Sequence, residues 1–467
     1  TLSPQEIAEK LEKELLEVTA DEESYPTIPE KGLKREEVET ILTRYSTREA
    51  KLAECGKVSG GIYHGGHDLT DLIVSAYSKF CLANPLHPDV FPLVRKMEAE
   101  VVSMVVNMFN GGPEACGIVT SGGTESILMA MKAYRELARI EHGIVTPEIV
   151  VPVSAHAAFD KACHYFGIKK VTIPVDATTF RANIDTYRKA ITKNTIALVG
   201  SAVTFPQGVM DPIEDLGALG VEKNIPVHVD CCLGSFVVAF SEAAGYPIKP
   251  FDFRVKGVTS ISCDTHKFGF APKGTSVIMY SAPTYRHHQY FVQTDWTGGI
   301  YASPSVAGSR PGALTAACWA VLMHHGKDGY TKAVRTILQA AHEIADAIRA
   351  DDTLTLMGEP DASVVCFDSK DPKVSIYAVS DALKSRGWNL NILQYPASVH
   401  LCVTYANAHN AKQFISDMKE AVAEVRAAPE KFAEGAVAMY GMSTALADRS
   451  MVADLAKAFI DTCFKVA

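Results

Sequence analysis

The sequence predicts an α/β fold, with a large, mainly parallel seven-stranded sheet domain followed by a smaller C-terminal α+β domain. The sheet is predicted by short apolar runs at 116–119, 148–153, 170–174, 197–201, 226–230, 259–263 and 276–280, most of them separated by intervals with room for a helix. Strands that alternate with helices pack as a parallel sheet covered on both faces. A second observation is the polar residues directly after four of these runs, because open α/β sheets bind ligands at the carboxyl ends of their strands.

The chain has 467 residues and 47% hydrophobic content, enough to bury a large core and to divide into more than one domain. Residues 1–89 read as an N-terminal helical and loop segment, 90–310 as the large domain and 311–467 as the small one. In the first segment, Ser3-Pro4-Gln5-Glu6 offers an N-cap, a proline at the first helical position and a glutamate three residues after the cap. Ile7, Leu11, Leu15 and Leu16 then share one face, which predicts an amphipathic helix over 1–25 lying across another surface. Residues 26–48 are polar and mixed and predict no element. From 55 to 68 the chain is glycine-rich, a loop in which backbone can approach a ligand closely. Asn84-Pro85-Leu86-His87-Pro88 is a rigid turn, and 91–109 has helical periodicity. After 309–312 a long helical pattern runs to about 350, followed by strand-like pieces at 363–367 and 399–403 and further helices.

Composition narrows the function. The net charge is -9, from 45 basic and 54 acidic residues with no basic tract, so nucleic-acid binding has no electrostatic support. The 11 cysteines are scattered, without a CxxC pair or a zinc-type Cys/His cluster, and there is no HExxH, so no metal is expected and the compartment is reducing. No apolar run approaches the roughly 18 residues of a membrane span. The sequence as it stands is expected to be soluble and intracellular.

The polar stretches after the strands are where chemistry is expected. Thr120-Ser121-Gly122-Gly123-Thr124-Glu125 opens a helical stretch, and glycines with hydroxyls at a helix N-terminus make an anion seat. A capped strand-to-helix turn is the alternative. His156, after the second strand, could stack on an aromatic ligand. Asp230, at the end of the fifth, could pair with a cationic heterocycle, or serve as a helix cap. His266-Lys267 follows the sixth, where desolvation would lower the lysine's pKa and free a nucleophilic amine. Phosphate seat, imidazole, carboxylate and amine on one sheet meet the needs of pyridoxal 5'-phosphate. Lys267 would bind the cofactor as a Schiff base, His156 would cover its ring and Asp230 would keep the pyridine nitrogen protonated.

These motifs resemble the sphingosine-1-phosphate lyase family, fold-type I pyridoxal-phosphate enzymes related to the group II decarboxylases. The resemblance is densest in Asn84-Pro-Leu-His-Pro-Asp89, Val119-Thr-Ser-Gly-Gly-Thr-Glu-Ser126, Ser154-Ala-His-Ala-Ala-Phe159, His228-Val-Asp230, Asp264-Thr-His-Lys-Phe-Gly269, Gly298-Gly-Ile-Tyr-Ala-Ser-Pro304 and Gly308-Ser-Arg-Pro-Gly312. It implies that Gly123, Thr124 and His266 hold the cofactor phosphate, joined by Gly299 and Ser303 from the second subunit of a homodimer to which residues 1–89 also contribute. It places Tyr63, Asn84, His87, Lys273 and Tyr301 around the substrate. Cys231 and Cys263 stand where animal relatives are expected to have alanine, and the N-terminal anchor that holds eukaryotic members in the endoplasmic reticulum membrane is not in this sequence. Membrane contact would come through such an anchor or the lipid substrate.

The implied reaction is retro-aldol cleavage of a phosphorylated long-chain base, with Lys267 and Tyr301 equally open as the proton-transfer group. An amino-acid decarboxylase and a non-catalytic protein of the same fold are the alternatives.

Overall fold

The computed structural model describes residues 16–432 and 450–466, with Glu6, Glu9, Glu12, Lys13, Val437 and Tyr440. The cap signal at Ser3 and Pro4, and Ile7, Leu11 and Leu15 of the expected apolar face, lie outside the described residues; Leu16 and Glu17 are helical. Helix α1 (Arg35–Ala53) occupies part of the stretch that predicted no element. It is polar on nearly all sides, and its first turn is closed by the Lys34 N–H donating to Glu37 at 2.7 Å. Helix α2 (His67–Phe80) begins where the glycine-rich segment ends, and α3 (Pro92–Met108) turns Val94, Met97, Val101 and Val105 inward.

Strands and helices then alternate. In order come β1 (Cys116–Thr120), α4 (Gly123–His142), β2 (Glu148–Pro152), α5 (Ala158–Phe166), β3 (Lys169–Ile173), α6 (Ile184–Ala190) and β4 (Thr195–Ser201). These are followed by α7 (Ile213–Lys223), β5 (Val227–Asp230), α8 (Ser235–Phe240), β6 (Val258–Cys263) and β7 (Ser276–Tyr280). Every residue of β2, β4, β5 and β7 is buried, as expected for strands covered on both faces.

The spatial order is β1-β7-β6-β5-β4-β2-β3, parallel except for β7, which runs antiparallel to both its neighbours. A parallel return from β6 would need a crossover to the other end of the sheet. Residues 264–275 instead turn back at the same rim. The carboxyl ends of β1, β2, β5 and β6 and the amino end of β7 therefore share one edge, the edge that carries the site.

After α9 (Pro283–His287), β8 (Phe291–Gln293) and β9 (Tyr301–Ser303) form a two-stranded ribbon. Helix α10 (Gly312–Arg349) covers the predicted long helical stretch but is two helices meeting at Gly326, whose φ of 56° and ψ of -177° are open to glycine alone. A four-stranded antiparallel sheet follows, in the order β10 (Leu354–Leu356), β11 (Val364–Ser369), β13 (Ser398–Cys402), β12 (Asn391–Leu393), with α11 (Ile376–Lys384) between β11 and β12. The glycine-rich loop lies along this sheet, with the N–H groups of Ser59 and Gly60 donating to the carbonyls of Asn389 and Cys402 at 2.8 and 3.1 Å.

Candidate active site

Lys267 and its nearest charge come from one turn. Lys267 Nζ is 2.8 Å from Asp264 Oδ2, and the Asp264 side chain is 1% exposed. Burial works against the ammonium, but the Asp264 charge and hydrogen bond, with Cys232 and Tyr63 nearby, outweigh it and hold the pKa above the ordinary lysine range. The expected lowering by desolvation is thus reversed, because the low-dielectric site also contains the counter-charge. The turn itself depends on close backbone packing. A Cβ on Gly269 would lie 2.4 Å from the Thr265 carbonyl oxygen, and the Gly269 carbonyl accepts from Tyr330 Oη of α10 at 2.7 Å.

The N-terminus of α4 faces this turn. Its cap residue, Gly122, gives no side-chain cap, so the first N–H groups of the helix keep their donor capacity. A Cβ on Gly123 would meet both Asp264 carboxylate oxygens at 2.7 and 2.9 Å and Cys232 Sγ at 2.8 Å, so glycine is required there by the approach of Asp264. Glu125 Oε2 accepts from the N–H and hydroxyl of Ser121 at 2.7 and 2.5 Å, while Oε1 accepts from Ser305 Oγ. One carboxylate thus ties the start of α4 to the chain just after the ribbon. His266 Nδ1 accepts from the N–H groups of Gly274 and Thr275 at 3.2 and 3.3 Å, which puts its proton on Nε2, 3.7 Å from Asp264 Oδ2.

Asp230 is 8% exposed, and its Oδ1 accepts from the Cys232 N–H at 3.1 Å and, more distantly, from Ser262 Oγ at 3.4 Å. Cys232 lies within electrostatic reach of Asp264, Asp230 and Lys267, so its buried thiol sits among the three charges. His156 is exposed; its Nδ1 accepts from the Ala158 N–H at 3.0 Å, which fixes the ring at the start of α5, edge-on to Phe205 with centroids 6.4 Å apart.

The remaining predicted residues divide by position. Tyr63 is buried, edge-on to Phe268 with ring centroids 4.9 Å apart, and Lys273 Nζ lies 4.4 Å from its ring centroid. Lys273 Nζ also donates to the His266 carbonyl at 3.1 Å. The residue reaches the surface, yet its ammonium turns inward; desolvation there and the charge of Lys267 lower its pKa to about 8. Asn84 is engaged locally, donating to Ser309 Oγ at 3.0 Å and accepting from the N–H groups of Leu86 and Arg310 at 3.1 Å each. His87 is exposed on the same turn. Tyr301 lies on the ribbon, its ring 6.2 and 6.3 Å from those of Phe291 and Trp296. Ser303 Oγ donates to the Ser305 carbonyl at 2.9 Å, and Gly299 has φ of 103° with open space beside it. Within the single chain, Lys267, Lys273, Tyr63, His266 and Asp230 are brought together, and no described contact joins Tyr301 to Lys267.

The model of the pyridoxal-dependent decarboxylase conserved domain matches residues 63–370. Sphingosine-1-phosphate lyase 1 of Rattus norvegicus is 50% identical over 447 residues, covering 95% of this chain and 78% of the rat protein. The chain belongs to the sphingosine-1-phosphate lyase family. The Saccharomyces cerevisiae lyase is 44% identical over 467 residues, covering 98% of this chain and 79% of the yeast protein. Among solved structures, the Burkholderia pseudomallei sphingosine-1-phosphate lyase superposes with a TM-score of 0.85 at 42% identity, covering 88% of this chain and 96% of that one. Lactobacillus brevis glutamate decarboxylase, with a TM-score of 0.74 at 19% identity and coverage of 88% and 98%, shares the fold.

The cofactor of this lyase family fits the residues present. The uncapped α4 N-terminus suits a phosphate, Lys267 suits an aldehyde and Asp230 suits a protonated ring nitrogen. Asp264 Oδ1, buried without a hydrogen-bond partner among the described residues, leaves acceptor capacity in the site. Sequence reading missed Asp264 and Glu125 as participants, although both lie inside quoted motifs. An acid three residues before the lysine, in the same turn, was the available signal. The partner of Glu125, Ser305, lies 180 residues away and gave none.

Proposed function

We propose that the chain cleaves sphingosine 1-phosphate and related phosphorylated long-chain bases to a long-chain aldehyde and phosphoethanolamine. The observation that carries this reading is Lys273, a second lysine on the turn that bears Lys267, with its ammonium over Tyr63. A decarboxylase has no use for a cation placed to hold a distal phosphate. Here Lys273 and the exposed His87 would anchor that phosphate and so fix the orientation of the C2–C3 bond, since charge-assisted hydrogen bonds fix position as well as adding affinity.

Bound pyridoxal 5'-phosphate supplies an electron sink for the pair left on C2 when the bond breaks. The chain's residues do the rest. The first N–H groups of α4, from Gly123 and Thr124, hold the cofactor phosphate with His266. Asp230 would keep a proton at the pyridine nitrogen, and the His156 ring would cover the cofactor ring. Lys267 would anchor the cofactor, and Asp264 holds its ammonium in the cofactor-free protein. The C3 hydroxyl proton goes to Lys267 or Tyr301.

We place Gly299, Tyr301 and Ser303 in the site of a second copy of the chain. No described contact joins Tyr301 to Lys267 in its own chain, and Phe291, Val292, Trp296 and Ile300 of this segment are exposed apolar residues, as a contact surface would be. The division into residues 90–310 and 311–467 fits the separate sheets before and after α10.

Incubation of the cofactor-loaded protein with sphingosine 1-phosphate and, separately, with aromatic amino acids tests the reading. Long-chain aldehyde is expected from the first and no carbon dioxide from the second. Carbon dioxide without aldehyde would sink it.

A further inference from the structure

A buried polar chain runs away from the site on the inner side of Asp230. His228 and Asp230 are alternate residues of β5, and Ser260 and Ser262 are their partners in register on β6, so all four share one face of the sheet. Tyr134 of α4 closes the far end. Tyr134, Ser260, His228 and Ser262 are all 0% exposed.

The directions of the bonds follow from the donors. Tyr134 Oη, 2.6 Å from Thr259 Oγ1, donates to Ser260 Oγ at 2.5 Å, and the Ser260 hydroxyl, 2.7 Å from His228 Nδ1, is placed to donate to it. The proton of His228 therefore sits on Nε2, which donates to Ser262 Oγ at 3.1 Å, and Ser262 Oγ donates to Asp230 Oδ1 at 3.4 Å. In this tautomer the chain from Ser260 to Ser262 donates toward the carboxylate, with Thr259 beside Tyr134 and the Cys232 thiol beside Ser262 as its side contacts. Burial keeps the imidazole neutral, with a pKa lowered to about 4, as an acceptor at Nδ1 requires. The surrounding layer is apolar: the Phe159 ring lies edge-on to His228 at 5.9 Å, among residues such as Ile149, Val151 and Val199. Aliphatic side chains would fill such a layer without the desolvation cost of five polar groups.

We propose that His228 is a positioning residue for the cofactor: through Ser262 it holds the Asp230 carboxylate in the orientation in which it would meet the pyridine nitrogen, while Ser260 and Tyr134 fix the His228 tautomer. This rests on the reading of Asp230 given above. Donation to a carboxylate favours its charged form, so losing the chain would weaken the partner that Asp230 offers to a protonated ring nitrogen when the cofactor is bound. The other charged groups around this end are Asp211, which feels Asp230, and Asp264 and Lys267 beside Cys232.

The test compares parent, His228→Leu, His228→Gln, Ser262→Ala, Tyr134→Phe and Asp230→Asn holoenzymes. The readouts are the pH titration of the visible band of the bound cofactor, kcat and KM, and the melting temperature of the cofactor-free proteins. His228→Leu is expected to move the titration midpoint by about one pH unit and lower kcat about tenfold with KM within about twofold, the scale of one hydrogen bond to a charged group. His228→Gln, which keeps a donor toward Ser262, should recover most of both changes. A His228→Leu enzyme with the parent's titration overturns the proposal, whatever its melting temperature. Should His228→Leu fail to fold, an unmoved titration in both Ser262→Ala and Tyr134→Phe overturns it equally. Asp230→Asn separates the two levels: if it also leaves the titration unmoved, the role of Asp230 itself fails; if it alone moves the titration, only the chain behind it fails.

Discussion

Lys267 Nζ and Asp264 Oδ2 are 2.8 Å apart at the rim of the sheet, and the other oxygen of that carboxylate is buried without a hydrogen-bond partner among the described residues. Because the lysine's folded pKa is raised, the pair stabilises the cofactor-free protein fully below the unfolded lysine value of about 10.4 and loses that contribution as pH climbs through the folded value. Removing one partner of a buried pair leaves an uncompensated charge, so Asp264→Asn is expected to cost about 3 kcal/mol at pH 7. Denaturant unfolding of the cofactor-free parent and variant measures this, and the gap should narrow above about pH 10. A gap that stays constant to pH 11 contradicts the assignment.

Lys273 sets a second pH dependence. Its ammonium is lowered to about 8, so the cation that would meet the substrate phosphate disappears as pH rises past that value. KM for sphingosine 1-phosphate should climb from about pH 8 upward, by as much as tenfold per pH unit. Arginine stays charged throughout, so Lys273→Arg should give a flat profile. Parallel profiles for the two proteins would remove Lys273 from phosphate binding.

Glu125 joins two segments far apart in sequence, and its pKa is lowered because four hydrogen bonds, from Ser121, Ser305 and Val306, outweigh its desolvation. Its contribution is therefore present above the unfolded carboxylate value of about 4.3 and lost as pH falls below it. Glu125→Gln keeps the shape and removes the charge. It should cost about 2 kcal/mol at pH 7 and weaken cofactor retention, read by equilibrium dialysis. Retention equal to the parent's would confine Glu125 to a structural role.

If Tyr301 serves the second copy's site, two inactive variants can rescue each other. Mixing Lys267→Ala with Tyr301→Phe and allowing subunits to exchange should restore about a quarter of parental activity, because half the dimers are hybrids with one intact site. No recovery after demonstrated exchange would place Tyr301 in the site of its own chain.

Legibility followed periodicity. All seven strands of the main sheet could be read: the buried ones are nearly continuous apolar runs, the edge strand β3, only one of whose residues is buried, followed from its place in the alternation, and Lys267, Asp230 and His156 stood out as polar residues at strand ends. β10 and β12, three residues each, were too short to show alternation. α1 was missed because a helix exposed on nearly all sides has no apolar stripe. The reversal of β7 and the Lys267–Asp264 pair were hidden for another reason: apolar content does not encode strand direction, and a residue chosen for reactivity says nothing of the charge that holds it.

The return of β7 to the rim it left has a consequence for substrate choice. Lys267 and Lys273 both ride on the excursion 264–275, pinned at its two ends to adjacent strands. The distance between the two cations is therefore set within this one excursion. If Lys273 holds the substrate phosphate as proposed, the measure of headgroup length is set by these twelve residues of local chain.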